Sequence, residues 1–170
     1  MDRRRVAVLA VALSLVACGG SAAPGPALTS ARGLPLGDVV VQRGSHVLVR
    51  LTVEVADNGA SQEKGLMGVR HLGADQGEAF VFASATSAGF WMKDTLIPLD
   101  IAFVDSRGAV VDVQQMVPCA ADPCTVYYAA QPYVLAVETA AGVLTRAGVK
   151  PADTLQLARR ASAVSVSTSR

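Results

Sequence analysis

The segment His46-Val47-Leu48-Val49-Arg50-Leu51-Thr52-Val53-Glu54-Val55 decides the fold. Val47, Val49, Leu51, Val53 and Val55 alternate with Leu48, Arg50, Thr52 and Glu54. That period of two turns one set toward a buried face of a strand. Upstream, Val39-Val40-Val41 is a second β-branched run. Downstream, Asp57-Asn58-Gly59 stops the strand. Ala60 to Met67 then suits a short helix, capped by Asn58, with Gln62, Glu63 and Lys64 on its wet side.

The same reading continues along the chain. Glu78 to Phe82 is a short strand after the turn residues Gly73 to Gly77, and Phe90-Trp91-Met92 is another short apolar segment. Ile101 to Asp105 and Ala109 to Val113 flank Ser106-Arg107-Gly108, a good hairpin connection. Tyr133 to Val137 is a further strand. Gly142 to Ala147 reads as a short helix ending at Gly148, and Thr154 to Ala158 as the last strand. Many short strands with two brief helices predict a mainly β (α+β) domain, a small antiparallel barrel or sandwich.

The ends have a different character. Arg3, Arg4 and Arg5 precede an apolar run from Val6 to Val16 that is too short to span a bilayer core of about 30 Å. This is the arrangement of an export signal over residues 1–17. It ends in Leu15-Val16-Ala17-Cys18-Gly19, which resembles the bacterial lipobox. Cleavage before Cys18 would leave that cysteine lipidated and the protein anchored to the outside of a bacterial membrane. Residues 18–37, rich in Gly, Ala, Ser and Pro, read as a flexible tether of roughly 25 Å. Residues 38–158 are left as one globular domain, and residues 159–170 as a disordered tail.

Composition narrows the partners. With 15 basic and 14 acidic residues, three of the arginines in the signal, the mature chain is close to neutral. No basic stripe points to nucleic acid. With Cys18 lipidated, Cys119 and Cys124 remain as a pair in an oxidising compartment. We expect a disulfide closing a small surface loop, a local staple of about 2 kcal/mol. A redox-active pair is the alternative, but the spacing is not Cys-x-x-Cys. His46 and His71 lack ligand spacing, so neither a metal site nor a cofactor is expected. Nucleophile elbow, phosphate loop and His-Glu-x-x-His are all missing from the sequence.

Several stretches together resemble the family called domain of unknown function 192. They are Gly65-Leu66-Met67 with Arg70, Phe80-Val81-Phe82, and above all Phe90-Trp91-Met92-Lys93-Asp94-Thr95. Ile97-Pro98-Leu99-Asp100-Ile101 with Phe103, Pro118-Cys119 and Cys124, and Tyr133-Val134-Leu135 with Glu138 follow in order. Ala141-Gly142 and Gly148-Val149-Lys150-Pro151 with Asp153 complete the pattern. The resemblance implies a small β-rich domain, often exported, and no particular substrate. Asp94 stands where the family usually has Asn, and Thr125 and Ala152 replace a usual Pro and Gly.

The block from Phe90 to Phe103 offers the leading candidate chemistry. It combines the sole Trp with Lys93, Asp94, Thr95 and Asp100, the mixture of apolar wall and polar groups found in small-ligand pockets. In one reading Trp91 is a wall, Lys93 binds an anionic group, and Asp94, Thr95 and Asp100 are hydrogen-bond partners. In the other, Trp91 and Phe90 fill the core, Asp94-Thr95 caps a turn and Asp100 satisfies backbone N–H groups. Arg70 either completes an anion site or is a solvated surface arginine, and Glu138 can pair with Lys93 or Arg70. The leading expectation is a non-enzymatic small-ligand-binding or interaction module around Trp91, Lys93 and Asp100. An envelope enzyme using Asp94 or Asp100 as acid–base with Lys93, and a purely structural envelope domain, are the alternatives. The enzyme requires both carboxylates and Lys93 to converge on one cleft.

Overall fold

A computed structural model describes residues 30–160. Its strands are β1 (Leu36–Arg43), β2 (His46–Ala56), β3 (Gln76–Thr86), β4 (Phe90–Trp91), β5 (Leu99–Val104), β6 (Val110–Met116), β7 (Val126–Tyr127), β8 (Tyr133–Ala140) and β9 (Thr154–Arg159). Helix α1 (Gly59–Lys64) lies between β2 and β3, and α2 (Val143–Arg146) between β8 and β9. Seven strands form one sheet in the order β6-β5-β8-β3-β2-β1-β9, and β4 and β7 form a separate ribbon. The main sheet curls until its edges touch, with Ala109 bridging Thr154 and the Val110 amide donating to the Asp153 carbonyl at 2.8 Å. The fold is β-rich with two short helices, as expected. It departs from an all-antiparallel arrangement at one pair, β2 with β3, which run parallel. A parallel pair needs a crossover rather than a tight turn, and α1 with the loop after it supplies one.

The alternation in β2 does what its period dictates. Val49, Leu51, Val53 and Val55 join Val39, Val41, Ala79, Ala102, Val104, Val137 and Leu155 in one apolar cluster inside the curl. A second cluster occupies the other face, where Phe80, Ile101, Phe103, Ala136 and Tyr133 pack under Leu66 and Met92. Strand β5 is consequently buried on both faces along its whole length. Continuous apolar strands of this kind signal cover on both sides.

Local chemistry sets the element ends. Asn58 caps α1 as expected, its side chain accepting from the Ser61 amide at 3.0 Å. The helix stops at Lys64 rather than Met67, because Gly65 takes φ 42° and turns the chain against the Phe80 ring. The hairpin of β5 and β6 forms where expected, with a bulge between Phe103 and Val104. Cys119 and Cys124 form a disulfide, with Cα atoms 5.4 Å apart. At the chain ends, β1 begins at Leu36, and residues 30–35 lie against the domain, so the expected tether shares its last residues with the fold. The expected tail begins one residue inside β9, whose neighbour Arg160 pairs with Asp38 at 2.6 Å. The signal segment, Cys18 and residues 161–170 lie outside the described residues.

Among the described residues, the two non-glycine positions with positive φ are both ones where the resemblance above implies a different residue. Asp94 has φ 54° and Ala152 has φ 75°. Asn and Gly, the residues usually found there, are the ones that tolerate this left-handed backbone. Ala152 lacks even the local hydrogen bonding of a short polar side chain, and its Cβ strains the turn into β9. Ala152→Gly is therefore expected to raise stability by about 1 kcal/mol, read as a higher denaturation midpoint at unchanged slope. An unchanged or lower midpoint would contradict the strain.

Candidate functional site

Strands β2, β3 and β8 are adjacent, and their register aligns three carboxylates. Glu54 lies beside Glu78, and Glu78 beside Glu138. All three point away from the Val53, Val55, Ala79 and Val137 cluster, since neighbours along a strand face opposite ways. Glu78 is fully buried and Glu138 is 4% exposed. One guanidinium reaches the row. Arg32 pairs with Glu54, donates to Glu78 Oε2 at 2.8 Å, and donates to the Gly65 carbonyl at 2.6 Å. Burial pushes the Glu78 carboxyl up and the hydrogen bond from Arg32 opposes it. Burial, then the charge of Glu78, push Glu138 to about 8, so it holds its proton at neutral pH.

Glu138 also lines a cavity of about 260 Å³. The end of α1 with Leu66, the Phe80 and Phe82 side of β3, and the β4 residues Phe90 and Trp91 surround it, with buried Thr95 alongside. The rings form a connected set, Phe80 to Phe90 edge-on at 5.0 Å and Phe90 to Phe103 at 5.7 Å. Among the described residues the Glu138 carboxyl forms no hydrogen bond, its shift coming from burial and neighbouring charges alone, and Glu78 Oε1 is buried without a partner. A cavity walled by aromatic side chains, with a few polar groups among them, has the composition of small-molecule sites. Strand β4 is held in place by pairing with β7, Trp91 opposite Val126. The disulfide closes the loop that leads into β7 and fixes that ribbon.

The residues expected to form the site divide between places. Trp91, half exposed, and Thr95 do line the cavity. Lys93 stands 5.9 Å from the centre of the Trp91 ring and pairs with Asp122 of the disulfide loop at 3.0 Å. Asp122 holds the Lys93 ammonium in its charged form. Asp94 is exposed, and its carbonyl accepts from the Gly68 amide at 2.9 Å. Arg70 is exposed on the loop after α1. Asp100 is elsewhere. It faces the opposite side of β5 from Ile101, and its Oδ2 accepts from the amides of Gly142, Leu144 and Thr145 at 2.9–3.0 Å and from the Thr145 hydroxyl at 3.1 Å. It caps α2, whose own N-cap is Gly142 with no side chain to do so. Asp94, Asp100 and Lys93 therefore do not converge, and the acid–base pair expected of an envelope enzyme is not assembled from them. Glu138 pairs with neither Lys93 nor Arg70. Its neighbours are Glu78 and Arg32. The sulfurs of Cys119 and Cys124 lie close to Asp122, but they are bonded to each other rather than open as thiolates.

The raised Glu138 carboxyl makes stability depend on pH. Between its ordinary value of 4.5 and about 8, the folded protein holds a proton that the unfolded chain releases. Stability therefore falls as pH rises through that window, by no more than about 1.4 kcal/mol per pH unit. Thermal melts across the window should show the fall in the wild type and a much flatter profile in Glu138→Gln. An equal slope in both would remove Glu138 as its cause.

Other proteins share this scaffold. A crystal structure of a protein of unknown function from Novosphingobium aromaticivorans DSM 12444 superposes with a TM-score of 0.70 at 34% identity, covering 79% of this chain and 94% of that one. A candidate transcription regulator from Sinorhizobium meliloti 1021 superposes with a TM-score of 0.66 at 30% identity, covering 73% and 95%. No curated protein matches the chain. The model of the domain of unknown function 192 (DUF192), described as an uncharacterized ACR, matches residues 39–157. That span includes every residue lining the cavity and the whole of the three strands that carry the glutamates, and the chain belongs to this family.

Proposed function

We propose that the protein is a lipid-anchored, extracytoplasmic small-ligand-binding module whose site is the cavity between α1, β3 and β4. The observation that carries the binding reading is Glu138, a buried acid without a hydrogen-bond partner among the described residues, at the edge of an aromatic-walled space. Burying a polar group without a partner is costly, and a ligand that hydrogen-bonds to it recovers that cost. The space suits a molecule of about one ring with a short polar substituent. Lys93 does not line this cavity: it stands beside Trp91 and is paired with Asp122, among the residues of the disulfide loop.

The single tryptophan makes the cavity self-reporting. Small-metabolite and glycan libraries screened by Trp91 fluorescence should yield ligands that shift its emission. Ala88→Phe, which places a ring at the cavity lining, should weaken their binding by about tenfold or more. A library without a single hit, or hits indifferent to Ala88→Phe, would overturn the reading.

The anchor rests on the Leu15-Val16-Ala17-Cys18 segment. Mass spectrometry of the mature protein should find acyl chains on its N-terminal cysteine, absent from Cys18→Ala. A freely secreted, unmodified chain would contradict it.

A further inference from the structure

We propose that the cavity recognises an organic cation, an amine or alkylated ammonium carried on a small apolar body, held between the aromatic walls and the Glu138 carboxylate. The proposal rests on the ligand-binding reading above and adds the charge class of the ligand.

The first argument is charge. Glu54, Glu78 and Glu138 stand side by side on three strands, and one guanidinium faces them. The donors of Arg32 go to Glu54, Glu78 and the Gly65 carbonyl, and none is given to Glu138. Around the cavity the remaining charged side chains are Glu63 and Lys64 of α1, which are exposed and opposite in sign. Beside Trp91, Lys93 is matched by Asp122. With Glu138 holding its proton, Glu54 and Glu78 still set two carboxylates against one guanidinium, so the row beside the cavity is one positive charge short. An anionic ligand adds to it and a neutral one leaves it, whereas a cation supplies what the row lacks.

The second argument is the walls. Phe80, Phe82, Phe90 and Trp91 line the space, and ring faces carry negative potential that attracts ammonium groups. Trp91 already has the Lys93 ammonium 5.9 Å from its centre, so this ring accepts a cation in the protein itself. Four aromatic side chains and one carboxyl on the same lining suit both the apolar and the charged parts of an alkylammonium ion.

Binding then has a defined proton balance. The Glu138 carboxyl O–H breaks, its proton passes to water, and the cation takes its place in an ion pair without any covalent bond to the protein. Glu78, Glu54 and Arg32 stay as they are. Because a proton must leave, cation affinity rises with pH until Glu138 is ionised without help.

The test uses the intact mature protein with benzyltrimethylammonium, benzyl alcohol and phenylacetate, followed by Trp91 fluorescence and by calorimetry in buffers of different ionisation heat. Benzyltrimethylammonium should bind at least about tenfold more tightly than benzyl alcohol, with phenylacetate weakest. Its affinity should climb between about pH 6 and about pH 8, with proton release at the lower pH. Glu138→Gln, which keeps the shape of the protonated acid, should reduce the cation to the level of the alcohol. Equal binding of cation and alcohol by the wild type leaves the cavity reading standing and overturns the cation, as does a cation affinity untouched by Glu138→Gln. Failure of all three probes together with the metabolite libraries sinks both.

Discussion

Three carboxylates placed on neighbouring strands, on a buried face, are about 5 Å apart at their Cβ atoms and repel one another strongly in a low dielectric. In this protein Glu54, Glu78 and Glu138 occupy that arrangement because the registers of β2 with β3 and of β3 with β8 allow nothing else. A slip of one residue would turn Glu78 and Phe80 inward and the Ala79 face outward, destroying both apolar clusters at once. The row is therefore as firmly specified as the core. Its charge must be met by other means, and the fold uses two: the Arg32 guanidinium at one end and retention of a proton on Glu138 at the other.

Arg32 ties this electrostatic arrangement to the N-terminal segment. It comes from residues 30–35, ahead of β1, where the Ser30 hydroxyl accepts from the amides of Arg32 and Leu34 and shapes a turn. The turn delivers the guanidinium to the strand row and to the carbonyl that ends α1. If Cys18 carries lipid as proposed, only residues 19–29 separate the anchor from the described domain. The guanidinium that meets Glu54 and Glu78 and the membrane attachment would then lie on one short stretch of chain.

Period and punctuation made much of the fold legible. The alternation of Val47 to Val55, the Asn58 cap and the Ser106-Arg107-Gly108 connection each act within a few residues, and each appears where the pattern put it. The pairing of β2 with β3 in parallel did not, because strand order depends on contacts distant in sequence. The site was half legible for the same reason. Trp91 and Thr95 stand out as a local cluster and do line the cavity. Glu78 and Glu138 are sixty residues apart in the chain, and Arg32 lay in a segment with the composition of a tether. A weak signal existed in Glu78-x-Phe80-x-Phe82, where a carboxylate shares a strand face with two rings in an otherwise apolar run. Asp100 shows the converse. Its place in a polar–aromatic block left two readings, a ligand site or a partner for backbone N–H groups, and three amides and a hydroxyl on its Oδ2, as the cap of α2, match the second.

The contrast between Asp100 and Glu138 explains where chemistry can occur in this domain. Both are buried carboxyls on central, adjacent strands of the sheet, and the β5–β8 register sets Asp100 opposite Thr139, the residue next to Glu138. One rotation of the pleat separates them. Asp100 faces the side closed by α2, where backbone amides converge and occupy its Oδ2. Glu138 faces the side where aromatic rings leave a gap and no amide points at it. A carboxylate saturated by its own protein has nothing left to offer a ligand. An acid denied such partners by rings and by a neighbouring glutamate keeps its capacity to bind, and the sheet's own pleat decides which of the two faces carries it.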